Sequence, residues 1–316
     1  MTVLNRKIQG EPRLSDWVQA QGKVAPALVA LRAVILLAGG VRKTRFSSAI
    51  GRSVLDLPID SFRKLFHHWH EQVEELAIRL DRDELPLRVM VDTAGTLPTE
   101  IKVAGRARIV TERDPFEYRG TGGLLRDVAT AYSDEDFIVV ANAGQILLEP
   151  LADLIHRLAS LGGDVGVAAH RDGTASGLML IRCGTLRRIQ AAGFADMKEQ
   201  SLPAIAAEYD VRVLSLDSPS GLPIRTMEEY VWALRWYHCN LGGKADVGDP
   251  FAEDWRATFS IVEEGAAVDP QARVHDSVVL SGARVDRDAV LVRSVVCSGG
   301  LAKRDARVVN QLVKPV

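Results

Sequence analysis

The sequence predicts a three-layer α/β domain followed by a short solenoid of β-strands. Three observations carry that reading. Apolar runs of strand length alternate with helix-length periodic segments over roughly residues 30–240. The first run, Ala33-Val34-Ile35-Leu36-Leu37-Ala38, empties into Gly39-Gly40. From Val268 onward, apolar residues recur every six positions. Near-continuous apolar strands are those covered on both faces of a parallel sheet, and the intervening helices are the crossovers such a sheet needs. A six-residue period suits triangular coils that stack one apolar residue per side.

Residues 1–31 read as an N-terminal extension, partly helical, with scattered apolar residues over 14–31 but no clean stripe. Ala33–Ala38 is the first strand. A helix is predicted at Phe62–Leu80, where Phe62, Leu65, Phe66, Trp69, Val73, Leu76 and Leu80 recur at three- and four-residue steps. Leu87–Val91 and Arg108–Thr111 are short strands. The turn Gly120-Thr121-Gly122-Gly123 opens a helix over Leu124–Tyr132, and Phe137–Ala141 is a buried strand. Leu151–Leu161 is helical, Val165–Ala169 and Leu178–Arg182 are strands, Pro203–Tyr209 belongs to a helix, and Val211–Leu216 alternates as a strand. Met227–Trp236 reads as an amphipathic helix with its aromatic residues inward, Trp232 and Trp236 packing in the core. Thr226 and Glu229 stand at capping-box spacing before it.

The tail repeats as Val268, Val274, Leu280 and, after a one-residue slip, Val285, Leu291, Cys297. Two to three coils fit, and so short a solenoid is expected to pack on the main domain or a partner subunit. The organisation expected is an extension at 1–31, an α/β domain at 32–242, and a linker with the strand tail at 243–316.

Composition narrows the function. The chain has 316 residues, 47% hydrophobic and 25% charged, with a formal net charge of −2. Such balance gives no general attraction to nucleic acid or to an anionic membrane, so anion binding must be local. The 3 cysteines, Cys183, Cys239 and Cys297, are odd in number and form no CxxC pair. Structural disulfides and a cysteine zinc site are not expected, and a reducing compartment is. No apolar run reaches membrane-spanning length, and charges at Arg6, Lys7, Glu11, Arg13 and Asp16 interrupt any leader-like stretch. The expectation is a soluble cytoplasmic protein.

Candidate chemistry centres on the glycine turn. A buried strand that ends in Gly39-Gly40, with Arg42, Lys43 and Arg45 directly after, lets backbone approach an anion and neutralises its charge. His67-His68-Trp69-His70 invites a metal reading, but adjacent histidines point apart on a helix. Only His67 and His70 share a face, and the group reads as a solvated helix end.

Four ordered segments resemble one family: Leu37-Ala38-Gly39-Gly40-Val41-Arg42-Lys43-Thr44-Arg45-Phe46, then Gly51-Arg52-Ser53-Val54-Leu55-Asp56-Leu57-Pro58-Ile59, then Gly120-Thr121-Gly122-Gly123-Leu124-Leu125, then Arg225-Thr226-Met227-Glu228-Glu229-Tyr230. With the six-residue tail, this order resembles the sugar-phosphate nucleotidyltransferases. That family includes glucose-1-phosphate thymidylyltransferase, mannose-1-phosphate guanylyltransferase and ADP-glucose pyrophosphorylase. The resemblance runs from Arg32 to the C-terminus. It implies a Rossmann-like nucleotidyltransferase domain with a left-handed parallel β-helix of hexapeptide repeats. It also implies the family reaction, in which a sugar 1-phosphate oxygen attacks the α-phosphorus of a nucleoside triphosphate and pyrophosphate leaves, Mg²⁺ bridging the phosphates. By the same resemblance Ala38, Gly39 and Gly40 line the nucleotide, Arg45 contacts its phosphates, and Arg52 stands where the lysine of the family's PK motif belongs. Gly120, Thr121, Gly122 and Gly123 then shape the wall against base and ribose.

Three departures from the family pattern bear on activity. Arg42 and Lys43 replace its third glycine. The strand that should end in a metal-binding aspartate ends in Asn142-Ala143-Gly144-Gln145, and the second metal aspartate falls near Pro223. Losing one strong electrostatic stabiliser typically costs about 3–4 kcal/mol. Asp92, Glu149 and Asp217 lie near predicted strand ends, but their spacing aims none of them at the phosphate site. No protein metal ligand is therefore expected, and Mg²⁺ enters only if the chain is active. Three readings stand. The first is a binder of a nucleotide or nucleotide sugar with weak or lost catalysis, serving as a regulatory or scaffolding subunit. The second is a working transferase that uses a sugar 1-phosphate and an unrecognised acid. The third is a structural protein assembled through its tail. A homo-oligomer, or pairing with an active paralogue, is the expected association.

Overall fold

Seven strands form one mixed sheet in a computed structural model that describes residues 25–39, 45–116, 119–191, 193–241 and 258–315. The strands are β1 (Leu31–Leu37), β2 (Leu85–Val91), β3 (Ala107–Arg113), β4 (Phe137–Asn142), β6 (Val165–His170), β7 (Ala175–Arg182) and β8 (Val211–Leu216), in the order β3-β2-β1-β4-β7-β6-β8. Strands β1 to β4 run parallel, while β7 is antiparallel to both β4 and β6. A two-stranded sheet joins β5 (Gln145–Leu147) to β9 (Gly221–Pro223). The helices are α1 (Pro26–Val29), α2 (Arg45–Ile50), α3 (Leu65–Arg79), α4 (Gly120–Ala129), α5 (Leu151–Ser160), α6 (Cys183–Leu186), α7 (Leu202–Glu208) and α8 (Met227–Leu241).

The alternation of β1 builds the layers. Val34 and Leu36 enter a core with α3, α5 and α8, whereas Ala33 and Ile35 enter the opposite core with α4, α6 and α7. All four are fully buried, as an apolar run covered on both faces must be. The fold class expected of residues 32–242 is therefore present as a mixed α/β fold with a large, parallel-rich sheet.

Four expectations need correction. Helix α3 begins at Leu65, because Asp60 Oδ1 accepts the N–H groups of Phe62 and Arg63 and closes a turn there. Phe62 is 93% exposed on that turn. The Gly120–Gly123 segment is the first turn of α4 itself, not a turn before it. On α8 the inward stripe is Met227, Tyr230, Val231, Leu234 and Tyr237, which leaves Trp232 and Trp236 on the far side, 55% and 37% exposed. Finally, His68 and His70 are buried rather than solvated. His68 Nε2 accepts the Leu147 N–H at 3.1 Å, and His70 Nε2 lies 3.2 Å from the Ala107 carbonyl. The capping box at α8 is present as expected: Glu229 N–H donates to Thr226 Oγ1 and Thr226 N–H to Glu229 Oε2, both at 3.2 Å.

After the undescribed stretch, ten short strands follow: β10 (Ser260–Val262), β11 (Ala267–Val268), β12 (Arg273–His275), β13 (Ser277–Val279), β14 (Arg284–Val285), β15 (Val290–Val292), β16 (Val295–Val296), β17 (Leu301–Ala302), β18 (Arg307–Val309) and β19 (Leu312–Val313). They form three parallel sheets, β10-β13-β16-β19, β11-β14-β17 and β12-β15-β18. Val268 pairs with Val285 and Val285 with Ala302, a repeat of 17 residues. The one-residue slip read in the sequence is this repeat: two steps of six and one of five return the chain to the same side. Left-handed backbone recurs at the same interval, at Gly265, Gly282 and Gly299 and again at Asp276, Arg293 and Asn310. Inside the stack, Ser294 N–H donates to Ser277 Oγ at 3.0 Å and Gln311 N–H to Ser294 Oγ at 3.1 Å.

One side of the stack joins the α/β part. Phe259, Ile261, Val278, Leu280, Val295 and Cys297 share a core with Tyr230, Val231 and Leu234 of α8. Among the described residues no helix is long and apolar enough to cross a membrane. Of the extension expected at 1–31, residues 1–24 lie outside the described residues; Leu31, its last residue, belongs to β1.

Candidate functional site

The carboxyl ends of β1 and β2 meet at Gly39 and Asp92. A Cβ on Gly39 would stand 2.6 Å from the Asp92 nitrogen, so only glycine allows the two strand ends to approach this closely. Two cavities open on either side of that contact, of about 220 Å³ and 310 Å³, and Leu37, Gly39 and Asp92 line both. Crevices outside the carboxyl ends of parallel strands are where open α/β sheets bind ligands.

The first cavity is apolar and aromatic. Met90 and Leu124 line it together with Phe116 and Phe194, whose rings stay 59% and 42% exposed. Arg119 lines the same wall, with its guanidinium 4.9 Å from the centre of the Phe116 ring. Its charge is met by Asp114, at 3.0 Å from Nε and 2.7 Å from Nη2, and by Asp127. Phe194 is carried by a loop seated on the start of α4. Gly122 N–H donates to the Ala195 carbonyl at 2.8 Å, and a Cβ on Gly122 would press within 2.4 Å of Ser201 Oγ. Of the four residues expected to form the base wall, Gly120 and Thr121 line the cavity. Gly122 and Gly123 do not: the former packs beneath the Ala195 loop and the latter against the Arg119 side chain.

The second cavity is the more polar of the two, although Phe46, Ile50, Val54 and Ile224 also line it. Ala38, Ser47, Ser48, Arg52, Asn142, Gly144 and Arg225 line it with the shared ridge. The Trp69 indole N–H holds the Ala143 carbonyl at 3.0 Å, and Asn142 Oδ1 accepts the Gly144 N–H at 3.0 Å. These bonds set the turn after β4. Arg225 pairs with Glu229, Nη2 to Oε1 at 2.8 Å. Burial works to raise the Glu229 pKa, but bonds from the Arg225 side chain and from the Arg225 and Thr226 N–H groups outweigh it and hold the carboxyl below its usual range. Arg52 is bound to Glu263 and Ser298. Arg45 begins α2, but its side chain lies outside the described residues, as do Gly40, Arg42 and Lys43.

Among the three acids weighed from the sequence, the structure brings only Asp92 to the crevice. Its Oδ1 is buried and has no hydrogen-bond partner among the described residues. Arg113 Nη1 pins the loop around it by donating to the carbonyls of Asp92 at 3.3 Å, Thr93, and Gly95 at 3.0 Å. Glu149 pairs instead with Arg157, half-buried, and Asp217 with Arg171 on the surface, each at 2.9 Å. Pro223 sits in β9 opposite Gln145. Among the described residues no three His, Cys, Asp or Glu side chains gather closely enough to hold a metal ion. Mg²⁺ takes oxygen ligands in octahedral geometry and is commonly held by one or two carboxylates plus phosphates. One carboxylate with a buried oxygen, an amide already bonded and a glycine do not make up the two-carboxylate site that the family resemblance implies.

The aromatic pair was not anticipated. Phe116 stands in Asp114-Pro115-Phe116, close before the glycine segment, and that proximity was a usable signal. Phe194 is far from it in sequence, and nothing local marks it.

No protein-family model matches the chain, and no curated protein matches it. Two solved structures of HddC from Yersinia pseudotuberculosis resemble it, each at 15% identity over 65% of this chain and 99% of that one. The TM-score is 0.47 for the structure complexed with GMP-PN and 0.45 for the other. Likeness at that level fixes neither family nor activity.

Proposed function

We propose that the chain binds a nucleotide or nucleotide sugar across the two cavities, with the base in the first and the phosphates passing over Gly39 toward the second. Its turnover in the nucleotidyltransferase reaction is weak or lost, and its role is regulatory or scaffolding. The observation that carries this reading is the Gly39–Asp92 ridge, which joins an aromatic cavity to a more polar one at the carboxyl ends of parallel strands. A planar base offers apolar faces to Phe116 and Phe194, and stacking of this kind contributes about 1–3 kcal/mol per base. Glycine at 39 draws β1 against the Asp92 backbone, so that one wall serves both cavities.

Weak turnover follows from the residues at the end of β4. The family reaction needs charge neutralisation at the phosphates, and here Asn142, Ala143 and Gly144 supply no carboxylate. The test is calorimetric titration with nucleoside triphosphates and nucleotide sugars, with and without Mg²⁺, alongside a pyrophosphate-release assay with sugar 1-phosphates. The expected result is binding that does not depend on Mg²⁺ and no pyrophosphate release. Robust product formation would rule out lost catalysis. Absence of any thermal shift across the panel would leave only an assembly role.

A working transferase is the second reading, favoured by the Asp92 oxygen beside both cavities that has no hydrogen-bond partner among the described residues. In that case Asp92→Ala abolishes a measurable Mg²⁺-dependent activity.

The C-terminal strands are proposed to be a short left-handed parallel β-helix that serves assembly, as a homo-oligomer or with an active paralogue. Support comes from the 17-residue repeat across three parallel sheets. The boundaries proposed are 32–242 for the α/β part and 243–316 for linker and tail. Cysteine usage suits a reducing, cytoplasmic setting.

A further inference from the structure

Arg52 stands in the wall of the second cavity, yet it is held from outside the seven-stranded sheet. Its Nη1 donates to Glu263 Oε1 and Oε2 at 3.0 and 2.8 Å, and its Nη2 to Ser298 Oγ at 3.0 Å. Glu263 follows β10 and Ser298 follows β16, so both belong to the C-terminal strands. The acceptors are themselves fixed. Glu263 Oε2 also accepts the Ser281 N–H at 2.8 Å, and Ser298 Oγ donates to the Ser281 carbonyl at 2.7 Å. The Arg52 and Glu263 side chains are 18% and 11% exposed, so water and salt screen their attraction only weakly. The other cation lining this cavity among the described residues, Arg225, is gripped by Glu229. An anion entering here meets two arginines that are already neutralised.

We propose that Glu263 is a latch. It commits Arg52 to the C-terminal strands, and a phosphate group gains Arg52 only by displacing the Glu263 carboxylate. Anion binding in the second cavity and attachment of the C-terminal strands to the sheet therefore oppose each other. The inference rests on the reading of this cavity as the phosphate side of a nucleotide site. Linkage makes the effect reciprocal: whatever holds the strands more firmly lowers anion affinity, and the anion loosens the strands.

The test titrates inorganic pyrophosphate into the full chain by calorimetry, comparing wild type, Glu263→Gln and the double variant Glu263→Gln with Arg52→Gln. The latch predicts that Glu263→Gln binds about tenfold more tightly, within the usual range of coupling between sites. It also predicts that the double variant loses the gain, since the gain acts through Arg52. Unchanged or weaker binding by Glu263→Gln, or no binding by either wild type or Glu263→Gln, overturns it. Should the variants not fold, hydrogen exchange on the wild type decides. Saturating pyrophosphate must speed exchange at Ser260–Val262, and unchanged or slower exchange there overturns the latch. A parallel titration with an unphosphorylated nucleoside separates the two readings, because its failure removes the base compartment without touching the pyrophosphate comparison.

Discussion

The two cavities share a ridge and differ in what surrounds their cations. In the first, Arg119 is neutralised by acids of its own neighbourhood, Asp114 and Asp127, and its guanidinium lies over Phe116. In the second, Arg52 is neutralised by an acid more than two hundred residues away in sequence, on a separate stack of strands. The charge of the first compartment is therefore settled within one local segment, and the compartment should act as a fixed slot for a planar ring. The second depends on how the C-terminal strands sit, and its charge is conditional. A site can hold a rigid recognition half and an adjustable anion half when a single glycine ridge joins them.

The strongest way to break that comparison is to remove the ridge. Gly39→Val places atoms against the Asp92 backbone, costs about 1–3 kcal/mol of stability by overpacking, and abolishes nucleotide binding in both compartments at once. Denaturant unfolding together with calorimetric titration checks it; retained binding to either compartment contradicts a shared ridge.

Acid should act on the second compartment first. Burial, then the nearby Arg63 charge, pushes the His68 pKa down from 6.5 to about 4. The folded value lies below the unfolded one, so the unfolded chain binds the proton more readily. Stability present near neutrality is then lost as pH falls from about 6.5 toward 4, by up to about 3 kcal/mol. His68 accepts the Leu147 N–H in β5, which pairs with β9 just before Ile224 and Arg225 of the second cavity. Unfolding curves between pH 7 and 4.5 should show the fall, and a His68→Gln variant should lose it. Triphosphate binding should weaken across that range before nucleoside binding does.

Removing one aromatic ring sharpens the other half. Phe116→Ala and Phe194→Ala should each weaken nucleoside binding by about 1–3 kcal/mol, the worth of a stacked base, and leave pyrophosphate affinity unchanged. Equal losses for nucleoside and pyrophosphate would merge the two cavities into one.

The smallest effect expected is in the strand stack. Ser294→Ala removes the acceptor of the Gln311 N–H and should lower stability by about 1–2 kcal/mol, with nucleoside binding untouched. Differential scanning calorimetry against the same nucleoside titration reads both.

Legibility differed sharply between regions. In the tail, Val268, Val274, Leu280, Val285, Leu291 and Cys297 were read in register because each coil repeats the same local rule, and a slip of one residue was itself part of the repeat. The sheet was legible because strands covered on both faces are apolar throughout, as in Phe137–Ala141. Gly39 was legible as a close approach, though not its partner. Asp92 was named only as an acid near a strand end, and its place beside Gly39 comes from β2 lying next to β1. Trp232 and Trp236 were misplaced because helix periodicity says which residues share a face but not which face is covered. The Gly120–Gly123 segment was expected to wall the base and ribose, whereas only Gly120 and Thr121 line the cavity and Gly122 answers to a loop from residue 195.

Apolar periodicity and glycine placement, which act over a few neighbouring residues, determined the layers, the coil repeat and the position of the glycine ridge from sequence alone. The tertiary structure alone decided that Phe194 faces the same cavity as Phe116, that Asp92 rather than Glu149 or Asp217 reaches the crevice, and that Arg52 is held by Glu263. Each of these joins residues distant in the chain, and no local preference of either partner encodes where the other will be.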